Sequence, residues 1–172
     1  VVGLFIPAAI GLSVFFSLGQ KPHDILTAIK SKRIIALAAL PQQLKVLKDH
    51  IIDYFSLDRE RSVKIYEKYK KKKWWIRYIR FIPFHIRIGV SFLGIISGGA
   101  HIKEEVDEFY RTMAFGFFQG YGLTETAPLL AVFDPSKNKA GSVGNFLDSK
   151  NIKIEDGELY VRGGYVTPGY YG

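Results

Sequence analysis

The 172-residue sequence contains no cysteine and only four histidines. Without cysteine the chain can form neither disulfides nor thiolate metal sites, and this absence favours a reducing compartment. The histidines stand far apart, at positions 23, 50, 85 and 101, without the short spacings of metal ligands. A metal ion held by histidine is therefore not expected.

The first twenty residues carry no charge and reach the length of a membrane span. Pro7 and Gly11 interrupt them, and residues 11–18 ("GLSVFFSL") are rich in β-branched and aromatic side chains. We therefore favour a short buried helix followed by a fully buried parallel strand, with a transmembrane helix as the alternative. A signal peptide is not expected, because the sequence lacks the basic leader that such a peptide carries. Because the chain starts at Val1 without a methionine, we expect a piece of a longer protein.

Acidic residues are almost absent from positions 61–87, where ten lysines and arginines accompany Glu67 alone. This segment carries +9, whereas the whole chain carries +8, so the remainder is nearly neutral. Within it, residues 67–87 ("EKYKKKKWWIRYIRFIPFHIR") interleave cations with aromatic rings. One interpretation is a solvated helix whose apolar side docks on the protein, and another is contact of residues 68–87 with an anionic membrane. No recognition motif supports a nucleic-acid partner.

Short apolar runs alternate with helical patterns through the first 135 residues. The runs lie at 11–18, 34–40, 90–97 and 114–119, and the helical patterns at 22–32, 41–55 and 102–113. This alternation predicts an α/β fold with a mainly parallel sheet and helices on both faces. Residues 134–145 are typical of a loop, and residues 151–163 alternate around Asp156 and Gly157, which indicates a hairpin. An antiparallel β unit is therefore expected to follow the α/β unit.

Two glycine-bearing loops end two of the predicted strands. They are "SGGA" at 97–100 and "QGYG" at 119–122. If helix 102–113 joins two parallel strands, both loops emerge at the carboxyl edge of one sheet, where open α/β sheets bind ligands. The two loops are therefore expected to face one site.

The side chains around the second loop indicate a nucleotide as the ligand. Tyr121 offers a ring for stacking on a base, the Thr124 hydroxyl can donate to a phosphate oxygen, and the Glu125 carboxylate suits Mg²⁺. Simpler explanations remain, namely a strand-to-helix turn, a core ring and a carboxylate that complements a helix dipole. The order and spacing of the combination favour the nucleotide.

The motifs "SGGA", "QGYGLTETAP", "GSVG" and "GELYVRGGYVTPGYYG" resemble the AMP-binding, adenylate-forming enzymes, which include acyl-CoA synthetases, firefly luciferase and peptide-synthetase adenylation domains. Within that superfamily the sequence is most similar to the bacterial long-chain fatty-acid CoA ligases. The resemblance is strong over residues 90–172 and rests on pattern alone over 1–57. It implies an internal fragment of the family's large N-terminal domain. Residues 1–135 would form an α/β subdomain with the adenine-binding loops, and 136–172 would begin an antiparallel β-barrel subdomain.

The resemblance also implies a reaction, in which ATP and Mg²⁺ activate a fatty acid as an acyl adenylate and CoA then takes the acyl group. Thr124, holding phosphate, and Glu125, binding Mg²⁺, are the implied catalytic residues. Tyr121 would stack on the adenine. His101 stands where the family usually has proline, which puts the start of the following helix in doubt. The implied nucleotide-binding residues are Gly98, Gly99, Ala100, Gly120, Tyr121, Gly122 and Thr124, with Gly120 and Gly122 also leaving room for the acyl group.

Two other functions fit the sequence. One is a relative that delivers the adenylate to a carrier-protein thiol, and the other is a non-catalytic basic module at a membrane surface. For the enzyme we expect a cytoplasmic location, peripheral at the inner face of the membrane, and the sequence is compatible with an oligomer. We expect the 172-residue chain alone to be inactive, because the family's phosphate loop and its C-terminal lysine are not among these residues.

Overall fold

A computed structural model describes residues 5–17, 19, 21–54, 64–65, 67–127, 129–133 and 142–171. The helices are α1 (Phe5–Ala9), α2 (Pro22–Ser31), α3 (Pro41–Tyr54), α4 (Trp74–Ile88) and α5 (Glu104–Thr112). The strands are β1 (Ala36–Ala39), β2 (Gly94–Ser97), β3 (Gly116–Tyr121), β4 (Ala131–Val132), β5 (Asn145–Phe146), β6 (Ile152–Glu155) and β7 (Glu158–Val161).

Five strands form one sheet in the order β1-β2-β3-β4-β5. β1, β2 and β3 run parallel, and β4 and β5 then add in antiparallel orientation. Helices α3 and α4 lie in the chain between β1 and β2, and α5 lies between β2 and β3. The predicted α/β class is confirmed.

Local signals in the sequence place the ends of three helices. Pro22 and Pro41 each occupy the first position of a helix, where the missing N–H costs no hydrogen bond. Helix α5 begins at Glu104 with acidic residues in its first turn and Arg111 in its last, so both ends complement the helix dipole. The helix after "SGGA" therefore forms although His101 replaces the usual proline.

The core lies where the helices meet one face of the parallel strands. Leu37, Ile95 and Phe117 stand in register across β1, β2 and β3. The ring of Tyr110 on α5 stacks 6.2 Å from that of Phe117, and its hydroxyl donates to the carbonyl of Leu44 on α3 at 2.8 Å. Burial of Ile95, Phe117 and Tyr110, against which Leu37 packs partly buried, fixes α3 and α5 on the sheet together with the satisfied phenol.

The predicted strand at residues 11–18 is wrong for the residues that the structure describes. Residues 12–17 form no regular element, and Leu12, Phe15 and Phe16 are exposed. Helix α1 does form before them, as expected, with Ala8 and Ala9 exposed. Strand propensity is realised only where a neighbouring strand offers pairing and packing, and none of the described residues pairs with the outer edge of β1.

The predicted hairpin is confirmed as β6 and β7, which pair antiparallel from Ile152 with Val161 to Glu155 with Glu158. Asp156 (φ 51°) and Gly157 (φ 81°) are both left-handed, as a two-residue turn of type I′ requires. Residues 134–141 of the predicted loop lie outside the described residues.

Candidate functional site

The two glycine loops lie side by side at the carboxyl ends of β2 and β3. Ser97 pairs with Gln119, which sets Gly98 against Gly120. A methyl group on Gly98 would lie 3.2 Å from the Gly120 carbonyl oxygen, so this close approach of two backbones favours glycine. The structure therefore brings the two predicted loops to one edge of the sheet.

A single 3₁₀ turn, Thr124–Thr126, follows β3 and presents its three side chains differently. Thr126 is buried, and its hydroxyl accepts from the Leu123 N–H at 3.2 Å and donates to the Leu123 carbonyl at 3.1 Å. Thr124 is exposed. Of the two hydroxyls that flank Glu125, one holds the turn together and the other is open to a ligand.

Glu125 is held by a segment from the far end of the chain. The Tyr170 hydroxyl donates to Glu125 Oε1 at 2.6 Å, and the Thr167 N–H donates to the Glu125 carbonyl oxygen at 2.8 Å. The phenol hydrogen bond lowers the pKa of Glu125 and raises the pKa of Tyr170. Glu125 is therefore an anion at neutral pH.

The donor set beside Glu125 fits Mg²⁺ bound mainly through a substrate. The described part of the chain has no group of three or more His, Asp or Glu side chains that could hold a metal ion. Glu125 supplies one carboxylate and Thr124 one exposed hydroxyl. Mg²⁺ commonly takes one or two protein carboxylates together with substrate phosphates and water.

All predicted site residues lie on these two neighbouring loops. Gly98, Gly99 and Ala100 follow β2, whereas the others end β3 or follow it: Gly120, Tyr121, Gly122, Thr124 and Glu125. Tyr170 was missed, because no spacing rule links it to a glutamate 45 residues away, although it lies within the family-like "GYYG" motif.

None of the helices in the described residues is long and apolar enough to cross a bilayer.

Comparison with known proteins identifies the family. The sequence model of the AMP-binding enzymes, described as "AMP-binding enzyme", matches residues 1–171. Long-chain-fatty-acid–CoA ligase FadD15 of Mycobacterium bovis is 36% identical over 85 residues, 49% of this chain and 14% of that protein. Long-chain-fatty-acid–[acyl-carrier-protein] ligase AEE15 of Arabidopsis thaliana is 36% identical over 99 residues, 51% of this chain and 14% of that protein.

Solved structures share the fold at low sequence identity. A benzoate CoA ligase from Burkholderia xenovorans LB400 superposes with a TM-score of 0.63 at 14% identity, over 98% of this chain and 31% of its own. The N-terminal domain of FACL13 from Mycobacterium tuberculosis superposes with a TM-score of 0.56 at 18% identity, over 89% of this chain and 32% of its own. The chain spans 14% of the length of the curated relatives named above. From the match over residues 1–171, the chain belongs to the AMP-binding enzyme family.

Proposed function

We propose that the full-length protein is an ATP-dependent acyl-CoA synthetase that activates a fatty acid, of long chain, as its acyl adenylate. The observation that carries the proposal is the contact of the two glycine loops beside Tyr121, Thr124 and Glu125. This arrangement supplies a flat backbone platform, an aromatic ring, an exposed hydroxyl and an anion within one short stretch. Residues 1–135 would form the α/β subdomain and residues 136–172 the start of the β-barrel subdomain.

The glycine loops and the ring would bind the adenylate. Gly98, Gly99 and Ala100 would line the adenine, whose face would stack on Tyr121. Gly120 and Gly122 have no side chains, so they would leave room for the acyl group beside the nucleotide.

Thr124 and Glu125 would act on the phosphates. The exposed Thr124 hydroxyl would donate to a phosphate oxygen and hold it in line for attack by the carboxylate of the substrate. Glu125 would hold Mg²⁺, and the bound ion would neutralise the charge that develops on the departing pyrophosphate. The turn that carries both residues is held by Thr126, so their positions are set before the substrate binds.

Exchange of labelled pyrophosphate into ATP, dependent on a fatty acid, tests adenylation by the full-length protein. We expect exchange without any thiol, and acyl transfer only when an acceptor is added. CoA is the acceptor we propose, and a carrier-protein thiol is the alternative, since one relative is named as a ligase for acyl-carrier protein. A protein that binds membranes but shows no exchange would instead be the non-catalytic module.

Tyr121 is expected to act through its ring rather than its hydroxyl, because the hydroxyl forms no hydrogen bond with the described residues. Tyr121→Ala should weaken ATP binding by about 1 kcal/mol or somewhat more, roughly five- to tenfold, because base stacking is lost. Tyr121→Phe keeps the ring and should bind like the wild type in equilibrium titrations. Equal losses in both variants would indicate a hydroxyl hydrogen bond instead.

The basic segment is an amphipathic helix with two apolar sides. One side docks on the protein through Phe81 and Ile88, and through buried His85, whose Nε2 lies 2.8 Å from the Met113 carbonyl oxygen. Burial lowers the pKa of His85, so this histidine is neutral and belongs to the core rather than to the basic surface. The docked interpretation therefore holds for this side of α4.

The other side of α4 exposes an apolar stripe, here defined as Trp75 (48% exposed), Ile79 (60%), Ile82 (38%) and Ile86 (57%). At 1.5 Å per residue the stripe is about 16 Å long. Exposed Lys71, Lys72 and Lys73 precede it, and a pocket at its other end is lined by Ile86 and Val90 with the cations Lys30 and Arg33. Cations at both ends of an apolar stripe complement an anionic bilayer, and we propose that the protein rests on the inner face of the cytoplasmic membrane there.

Vesicle binding by the full-length protein tests this membrane contact. Lys72→Gln with Lys73→Gln should weaken binding to anionic phosphatidylglycerol vesicles by about 2 kcal/mol, roughly 30-fold, and added salt should have a similar effect. Lys150→Gln with Lys153→Gln removes the same charge near the hairpin and should leave binding unchanged. Vesicle binding that ignores salt and lipid charge would contradict the proposal and indicate that α4 is covered by protein.

A further inference from the structure

One short segment fixes both the main chain and the side chain of Glu125. The Thr167 N–H donates to the main-chain carbonyl of Glu125, and the Tyr170 hydroxyl donates to its Oε1. The two donors lie more than forty residues away in sequence and only three residues apart from each other. The segment from 167 to 170 therefore acts as a two-point clasp on a single residue.

The clasp has a shape of its own. The Thr167 hydroxyl donates to the Gly169 carbonyl at 3.2 Å, and the Val166 N–H donates to the Gly163 carbonyl at 3.1 Å. Upstream, the Arg162 guanidinium donates to Asn151 Oδ1 at 3.2 Å, which ties the segment to the start of the hairpin. Local hydrogen bonds of this kind give the Tyr170 hydroxyl a set approach to Glu125.

The hydrogen bond from Tyr170 distinguishes the two carboxylate oxygens of Glu125. Oε1 accepts the hydrogen bond of the phenol, and no other side chain among the described residues donates a hydrogen bond to Oε2. A freely rotating carboxylate presents either oxygen in many orientations, and holding one oxygen restricts the other.

We propose that Tyr170 is a positioning residue, whose hydroxyl orients the Glu125 carboxylate so that Oε2 is the oxygen presented to the Mg²⁺ of the nucleotide. This inference rests on the proposed function and deepens it. Tyr170 acts through Glu125 and does not itself touch the metal or the substrate. The neighbouring Tyr171, which is also exposed, has no hydrogen bond among the described residues and serves as the matched control.

The test compares Tyr170→Phe with Tyr171→Phe in the full-length protein, by equilibrium titration of ATP with Mn²⁺ or with EDTA. Tyr170→Phe should weaken the binding of ATP with Mn²⁺ about tenfold, because a hydrogen bond to a charged group is lost, and should leave metal-free binding unchanged. Tyr171→Phe should match the wild type in both titrations. In steady-state exchange assays, Tyr170→Phe should raise the Mg²⁺ concentration needed for half-maximal rate more than it lowers the limiting rate.

A double variant separates positioning from a structural role. In a Glu125→Gln background, Tyr170→Phe should cause no further loss of metal-dependent binding, because its effect passes through the carboxylate. An equal loss with and without metal, or identical behaviour of the Tyr170 and Tyr171 variants, would overturn the assignment while leaving the proposed function standing. If the wild type itself shows no metal-dependent ATP binding, both proposals fail.

Discussion

Replacement of Glu125 by glutamine should lower adenylation by two to three orders of magnitude, or about 3–4 kcal/mol of transition-state stabilisation. Glutamine keeps the shape of the side chain and an oxygen that can accept from the Tyr170 hydroxyl, so the turn should remain folded. What the variant loses is the negative charge proposed to hold Mg²⁺. The measurement is fatty-acid-dependent exchange of pyrophosphate into ATP by the full-length protein.

The chain offers a close control for that substitution. Glu158 on β7 is exposed and also accepts a hydrogen bond from a tyrosine, Tyr160, at 2.9 Å. Glu158→Gln should leave exchange at the wild-type rate, because the hairpin carries none of the proposed site residues. Near-normal pyrophosphate exchange in a folded Glu125→Gln variant would contradict the assignment of Glu125 as the metal ligand.

Replacement of Gly144 by alanine should destabilise the protein by about 3 kcal/mol or more. Gly144 precedes β5 with φ of +95°, and a Cβ there would overlap the Val132 carbonyl on β4. The substitution combines a left-handed strain with a collision against backbone, which cannot rotate away as a side chain could. Because β4 also pairs with β3, we expect the whole edge of the sheet behind the second glycine loop to loosen.

Gly157 provides the comparison, since it is also left-handed, with φ of +81°, but a Cβ there would meet nothing within 4 Å. Gly157→Ala should therefore cost only the conformational strain, about 1 kcal/mol. In thermal unfolding followed by calorimetry, we expect the midpoint to fall by about 10 °C for Gly144→Ala and about 3 °C for Gly157→Ala. Equal falls of the unfolding midpoint in the two variants would mean that β4 can move away from the added Cβ without a loss of stability.

Elements governed by local chemistry were predictable. The proline at the start of α2 and of α3, the acidic first turn of α5, and the Asp156-Gly157 turn each act within a few residues. The apolar runs that became β1, β2 and β3 were recognisable because strands covered by helices need continuous apolar sequence. The order strand, "SGGA", helix, strand, "GYG" then placed the two loops at the same edge of the sheet.

Residues 11–18 show where this reasoning stops. Their β-branched and aromatic composition is that of a buried strand, yet the described residues 12–17 are irregular and Phe15 and Phe16 are exposed. Composition can favour an extended backbone, but pairing needs a partner strand, and no local signal reports whether one is in place.

The family-like loops, the α/β order of elements and the location of the basic segment follow from the sequence alone, because each depends on residues close together in the chain. By contrast, the burial of Thr126 beside an exposed Thr124, and the docking of His85 on an α4 that exposes Ile79 and Ile82, are seen only in the folded chain. The contact of Tyr170 with Glu125, across 45 residues, is likewise visible only in the fold. The physical reason is that such contacts depend on how separate elements pack, and packing is set by the summed fit of many side chains rather than by any one spacing.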